Sequence, residues 1–436
     1  MDALPRIAII DECVVDETVK GFPGHVTPLR VRDIGRQGWN ILKEDVPFPV
    51  ALLKASAVAH NRRWMQRFLR HAGVLLCPHG KTTMSPQIFQ AQLADGAWGL
   101  TCATVSQLQV YRRFGIQRVL LANQLISRRN VEYLVTEMRD CAAFEPYVVV
   151  DSQTGIERLS AAARAVALSR PVRVLVEVGA PGARTGVRTI SGVVELIRAV
   201  ERCGASVVIA GVEAFEDVKT SAGEDKDRAV VALLDLLVEA ARLAAQSPAV
   251  APTEPLILSA GGSTYFELVA ARLSAAAIGR DTLVVLRSGC YITHDHIHYA
   301  NAERARLARA PALAELGPGL MPALEVWSVV QSRPEPARAY LSAGKRDLSY
   351  DFQLPRPVAW YRPGLHAGPQ PVPADHEIVA LNDQHAHLSL PAASPLAVGD
   401  LVGIGISHPC TTFDKWRLIY VVDDDYRVID ALLTFF

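Results

Sequence analysis

The chain lacks the features that mark several broad classes of protein. Its 436 residues carry 45 basic and 45 acidic side chains, a formal net charge of zero. That balance gives no overall attraction to nucleic acid or to an anionic membrane surface. No apolar stretch reaches about 18 residues, the length that marks a transmembrane helix. The start, Met1-Asp2-Ala3-Leu4-Pro5, has no basic region followed by an apolar one, so no secretory leader is expected. Cysteine is scarce: there are seven, scattered and odd in number. That usage suits the reduced thiols of a cytoplasmic protein better than a disulfide framework. Internal repeats and long low-complexity segments are missing too. Half of the residues are hydrophobic, enough to bury a large core. Length allows two or three domains, although one barrel can use about 250 residues by itself.

What the chain does have is a series of short apolar runs separated by helical patterns. Residues 74–77, 97–101, 118–122, 147–151, 172–178, 207–212, 255–260 and 283–287 read as strands, rich in the Val, Ile and Leu of strands buried on both faces. Residues 57–72, 85–94, 104–114, 192–203 and 227–245 read as helices, with Thr104 placed to cap the third. Eight strands alternating with helices is the count that closes a (β/α)8 barrel, which is preferred here over an open doubly wound sheet. After Ala310 the pattern changes. Residues 325–332, 377–381, 401–406 and 418–423 read as strands, and 362–374 as a loop. The expected division is an N-terminal segment 1–47 joining a β-domain, a barrel over 48–308, and a mostly β C-terminal domain over 309–436.

Lys81 is the first candidate for chemistry. It stands in Cys77-Pro78-His79-Gly80-Lys81-Thr82-Thr83, just past the first apolar run. The carboxyl ends of barrel strands are where such folds build active sites. The runs expected as strands seven and eight are followed by glycine turns, Gly261-Gly262-Ser263-Thr264 and Ser288-Gly289-Cys290-Tyr291. Those two loops are the usual phosphate site of a barrel, and consecutive N–H groups there can cradle an anion. A lysine and a phosphate cup in one barrel mouth point to pyridoxal 5'-phosphate. Near the C-terminus, His408-Pro409-Cys410 can place imidazole and thiolate on one side of an extended segment. That donor pair favours zinc over magnesium or calcium. Two ligands leave positions open for substrate or water. His294, His296 and His298 alternate after strand eight and read mainly as polar lining or loop rather than as a metal cluster.

Together these pieces resemble the fold-type III pyridoxal phosphate enzymes, with an alanine-racemase-like barrel, and within them the D-serine dehydratase and D-threonine aldolase family. The resemblance runs from about Phe48 to the C-terminus. It is carried by an Asn-bearing helix (Asn61), Pro78-His79-Gly80-Lys81-Thr82, Val148-Val149-Val150-Asp151-Ser152, the segment from Glu177 to Gly186, the two glycine turns and His408-Pro409-Cys410. It implies Lys81 as the Schiff-base lysine and Arg184 near the cofactor. Gly261, Gly262, Ser263, Thr264, Arg287, Gly289, Cys290 and Tyr291 would lie around the phosphate. His408 and Cys410 would bind the metal, with His385 a further recurrent histidine. Glu213 or Arg287 would face the ring nitrogen. Family aldolases tend to carry His and Asp at the metal pair, and the dehydratases His and Cys. Cys410 therefore points to a D-serine-type ammonia-lyase acting on a small D-amino acid, and the family implies a homodimer.

The sequence departs from the family at three places. Met84 stands where a second basic residue is usual, Ser288 where proline is usual, and Glu213-Ala214-Phe215-Glu216 where aromatic or His residues are more familiar. The nearest alternative activity is a metal-dependent D-threonine-type aldolase. A racemase would need a second base, which is not evident. A non-catalytic pyridoxal phosphate-binding protein would be a lone barrel without the C-terminal extension.

Overall fold

The computed structural model describes residues 4–216, 218, 220, 225–251 and 254–436; Met1, Asp2 and Ala3, part of the start read above, lie outside them. The chain forms two compact units. One comprises the residues up to Met65, Thr82–Ala91 and Cys290–Phe436, and the other Gln66–Lys81 and Gln92–Gly289.

The second of these is the barrel. Its strands are β1 (Leu75–Leu76), β2 (Leu100–Cys102), β3 (Arg118–Leu121), β4 (Glu145–Val150), β5 (Val172–Val178), β6 (Val207–Phe215), β7 (Leu256–Gly261) and β8 (Thr282–Leu286). Strands β2 to β8 pair in chain order, and β1 pairs with β8, every ladder being parallel. Between β1 and β2 the seam is closed by Trp98 N–H donating to Leu76 O at 2.7 Å and Thr101 N–H donating to Pro78 O at 2.9 Å. All eight expected strands are present, and the sheet closes on itself rather than staying open.

Inside, Cys77, Leu120, Tyr147, Val149, Leu175, Ala210, Ile257 and Val285 pack into one cluster. This is the filled interior of a barrel, not a pore. Truncating Leu175, which is fully buried, to alanine is expected to cost about 2–5 kcal/mol. The return helices begin where short polar side chains cap exposed amides. Thr104 accepts from Gln107 N–H, Ser152 from Gly155 N–H and Thr189 from Gly192 N–H, each satisfying a donor that the helix leaves open. Helix Ile190–Cys203 buries Val193, Leu196, Ile197 and Val200, a three- and four-residue spacing that lays one face on the sheet.

The other unit is mostly antiparallel sheet. Strand Leu324–Glu335 pairs antiparallel with Leu401–Gly405 and with Val50–Lys54, and the latter runs parallel to Leu418–Val422. Arg356–Tyr361 adds beyond Leu401–Gly405, while Arg338–Leu341, Ala386–Ser389 and Glu377–Leu381 extend the other side. The segment ahead of residue 47 is tied in by Ile41 N–H to Tyr426 O and by Val428 N–H to Trp39 O. One expectation needs correcting. Residues 362–374 are not wholly loop, because Gln370–Pro371 pairs with Trp360 and Ala359. A proline is tolerated there because the pair lies at the sheet edge, where its missing N–H breaks no inner ladder. Among the described residues no helix is long and apolar enough to cross a membrane.

Candidate active site

Past β1 the chain continues through Cys77-Pro78-His79 into the short turn Gly80–Thr82, which carries Lys81. Cys77 N–H donates to Leu286 O at 2.7 Å and His79 N–H to Arg287 O at 3.3 Å. Lys81 therefore leaves the barrel beside the segment that follows β8. His79 is held well below the usual imidazole range by burial and then by the positive charges of Lys81, Arg287 and Arg184. It is thus a neutral ring, and its Nδ1 is buried without a hydrogen-bond partner.

Arg287 is almost fully buried and forms an ion pair with Glu213 on β6, Nη1 to Oε2 at 2.5 Å. Its Nη2 donates to Ala214 O at 2.8 Å. The ion pair is close in distance but poorly aligned as a hydrogen bond. Nε and Nη1 of Arg287 and Oε2 of Glu213 all remain without a hydrogen-bond partner. Arginine offers five N–H donors, and few buried guanidinium groups leave the three on Nε and Nη1 unused. The two residues expected as rival partners of the ring nitrogen are therefore partners of each other.

Glu177 on β5 was not singled out from sequence. Thr185 Oγ1 donates to its Oε1 at 2.5 Å and Gln124 Nε2 donates to Oε2. Burial, and then the charge of Glu213, push its carboxyl up to about 7. A carboxyl whose pKa is raised in the folded protein favours folding while protonated. The contribution is full below the ordinary value of 4.5 and is lost as pH rises through about 7. We expect stability to fall by up to about 3 kcal/mol across that window on this group's account. Glu177→Gln should flatten the slope, as read from urea midpoints at pH 5 and pH 8. An unchanged slope would mean that Glu177 stays ionised throughout.

The two glycine turns adjoin. Ser288 Oγ donates to Gly262 O at 2.5 Å, so the serine standing in place of the family's proline ties one turn to the other. A Cβ on Gly261 would lie 2.5 Å from the Arg287 guanidinium. Gly262 has φ +139°, and a Cβ there would run into the Glu216 carboxylate. Both positions need glycine, and both keep the backbone open. The Glu216 carboxyl lies at Gly262, whereas the Arg287 guanidinium at Gly261 favours an anion. Arg184 is exposed and lies over the Phe215 ring at 4.5 Å. The unused donors of Arg287 and the glycine turns together fit a group rich in acceptors, as pyridoxal phosphate is.

Lys81, Arg184, Glu213, Gly261, Gly262, Ser263, Thr264, Arg287 and Gly289 all belong to the barrel unit; Cys290, Tyr291, His408 and Cys410 belong to the other. In that unit Cys290 and Cys410 are brought together, Sγ to Sγ 3.7 Å, and Cys410 Sγ lies 3.4 Å from Thr82 Oγ1. A hydrogen bond to Cys410, and then burial, push the Cys290 thiol well up. His408-Pro409-Cys410 is not extended, which corrects the expectation: Pro409 is helical and Cys410 opens the turn Cys410–Phe413. His408 Nδ1 lies 2.5 Å from Asp351 Oδ2, leaving Nε2 as its donor to a cation. Imidazole and thiolate suit zinc. Among the described residues, no group of three or more His, Cys, Asp or Glu is placed to hold a metal. His294 and His296 are lowered to about 4 by burial first. Met84, the position of the expected basic residue, is buried at φ 42°, its carbonyl accepting from Phe435 N–H.

Comparison with known proteins agrees with this architecture. Residues 53–296 match the family model "Alanine racemase, N-terminal domain", and residues 323–422 match "Putative serine dehydratase domain". A D-threonine aldolase from an Arthrobacter species is 26% identical over 383 residues, 87% of this chain and 90% of the relative. A D-threo-3-hydroxyaspartate dehydratase from a Delftia species is 28% identical over 139 residues, 32% of this chain and 35% of the relative. The crystal structure of D-threonine aldolase from Filomicrobium marinum superposes with a TM-score of 0.68 at 26% identity, covering 89% of this chain and 95% of that one. With over half of its length matched to that first model, the chain belongs to the alanine racemase N-terminal domain family, among the fold-type III pyridoxal phosphate enzymes.

Proposed function

We propose that the protein is a pyridoxal phosphate- and zinc-dependent lyase that converts a D-3-hydroxy amino acid to a 2-oxo acid and ammonia, in the manner of a D-serine ammonia-lyase. The observation that carries this reading is the thiol of Cys410 two residues from an imidazole whose Nδ1 is already engaged. By resemblance, His with Cys goes with dehydration and His with Asp with aldol cleavage.

Pyridoxal phosphate, when bound, supplies a ring that accepts the electron pair left at the α-carbon. Lys81 Nζ would hold the cofactor covalently in the resting enzyme and, once freed by the substrate amine, take the α-proton. The N–H groups of the turns at Gly261 and Gly289 would hold the phosphate, with Arg287 and Glu213 facing the ring. His408 and Cys410 would hold the cation, whose chemistry is Lewis-acid polarisation of the β-hydroxyl. The hydroxyl leaves as water, and water returns to release the amine as ammonia, so the net products are the 2-oxo acid and ammonia.

The D-threonine aldolase match over 87% of the chain supports a second reading, retro-aldol cleavage. Both readings require a D-substrate and the cofactor. Incubated with pyridoxal phosphate and zinc, the protein should consume D-serine or D-threo-3-hydroxyaspartate and leave the L-isomers untouched. Equal consumption of both isomers, or of neither, would remove the proposal. The working form is expected to be a homodimer.

A further inference from the structure

Asp351 is 57 residues from His408 in sequence and one hydrogen bond from it in the fold. Its Oδ2 lies 2.5 Å from His408 Nδ1, and its Oδ1 accepts from Thr411 Oγ1 at 2.7 Å. An ionised carboxylate only accepts, so Nδ1 must carry the proton, and the lone pair of a neutral ring then sits on Nε2. The ring plane is fixed as well. Phe352 stacks on the imidazole at 4.1 Å between centroids and 6° between planes. The backbone beneath is stitched in the same register. His408 N–H donates to Ser349 Oγ at 3.1 Å, Ser349 N–H donates to Thr412 Oγ1 at 3.2 Å, and Thr412 Oγ1 donates to His408 O at 3.3 Å.

Nothing in the two-residue metal pair requires this arrangement. His376 also meets an aspartate, Asp375, but its Nε2 is taken up by Ser394 Oγ at 2.7 Å. We infer that Asp351 is a positioning residue, which sets the tautomer and orientation of His408 so that Nε2 is presented to a cation. A carboxylate behind a ligating imidazole both fixes the ring and makes it a stronger donor. The inference rests on reading His408 and Cys410 as the metal pair.

The test uses full-length protein carrying its cofactor, with zinc affinity measured by competition against a chromogenic chelator. A long-range proton–nitrogen spectrum of the zinc-free protein, with its 12 histidines labelled, reads the tautomer separately. Wild type should show His408 with the proton on Nδ1. Asp351→Ala should lose that pattern and bind zinc about 10- to 100-fold more weakly, with cofactor absorbance unchanged. Asp351→Asn keeps an acceptor at the same reach and should fall between the two; it also serves if the alanine variant folds poorly. Zinc affinity within twofold of wild type in both Asp351 variants, while His408→Ala loses it, would overturn the inference and leave the metal pair standing. So would a wild-type His408 with its proton on Nε2. His408→Ala binding zinc as tightly as wild type would overturn the metal pair itself, and the inference with it.

Discussion

Lys81→Ala is expected to lack the visible-edge absorbance of a lysine-bound cofactor and to turn over at least about 10³-fold more slowly. The substitution removes two roles at once. It takes away the amine that would hold the cofactor covalently, and the base that would take the α-proton, which alone is worth about 10²- to 10⁴-fold. Cofactor should still bind, because the Arg287 guanidinium and the turns at Gly261 and Gly289 are untouched, but dialysis should now remove it. Lys81 lies in the short turn Gly80–Thr82 and is only half-buried, so the thermal midpoint should move little. Lys81→Arg separates charge from covalency, since it keeps the cation yet should be as inactive as the alanine variant. A Lys81→Ala protein that retains the absorbance would place the covalent link on another residue.

Removing the metal should have the next largest effect. Treatment with a chelator is expected to lower turnover by about 10²-fold or more, in keeping with the several kcal/mol that Lewis-acid stabilisation supplies. Zinc should restore it. Cys410→Ser should bind zinc more weakly and resist that rescue, since a serine hydroxyl is a poorer and harder donor than a thiolate. Cys290→Ser is the control, because its sulfur is 3.7 Å from that of Cys410 and it was assigned to the cofactor turn rather than to the metal. It should retain zinc. Full activity in the presence of chelator would end the case for zinc.

The barrel was legible because its strands are buried on both faces. Continuous apolar runs then mark them, and residues 172–178 and strand β5 coincide. The helix caps at Thr104 and the glycine turns were legible for a local reason, since turn and cap chemistry is written within a few residues. In the β unit, strands such as Arg338–Leu341 and Ala386–Ser389 are four residues long, with every second residue only half-buried, so neither run length nor composition marks them. Val50–Lys54 is apolar and buried up to its final lysine, but it joins the β unit through Leu324–Glu335, and no period in the sequence reports a partner so far along the chain. The same holds for the site. Lys81, Arg287, His408 and Cys410 could be picked out by motif. That Arg287 meets Glu213, that Cys290 meets Cys410 and that Asp351 holds His408 are pairings across distant segments, invisible until the chain is folded. Glu177 left one sign, a lone carboxylate within the apolar run Val174-Leu175-Val176-Glu177-Val178 at the end of a strand.

The central claim is elimination, and product identity tests it most directly. Protein loaded with pyridoxal phosphate and zinc should be given D-serine, D-threonine and D-threo-3-hydroxyaspartate in turn, with 2-oxo acid, ammonia, glycine and aldehyde or glyoxylate all quantified. The account predicts 2-oxo acid and ammonia in equal amounts from at least one of them, without glycine. Glycine appearing with an equal amount of aldehyde or glyoxylate, and no ammonia, would contradict it and make the protein an aldolase.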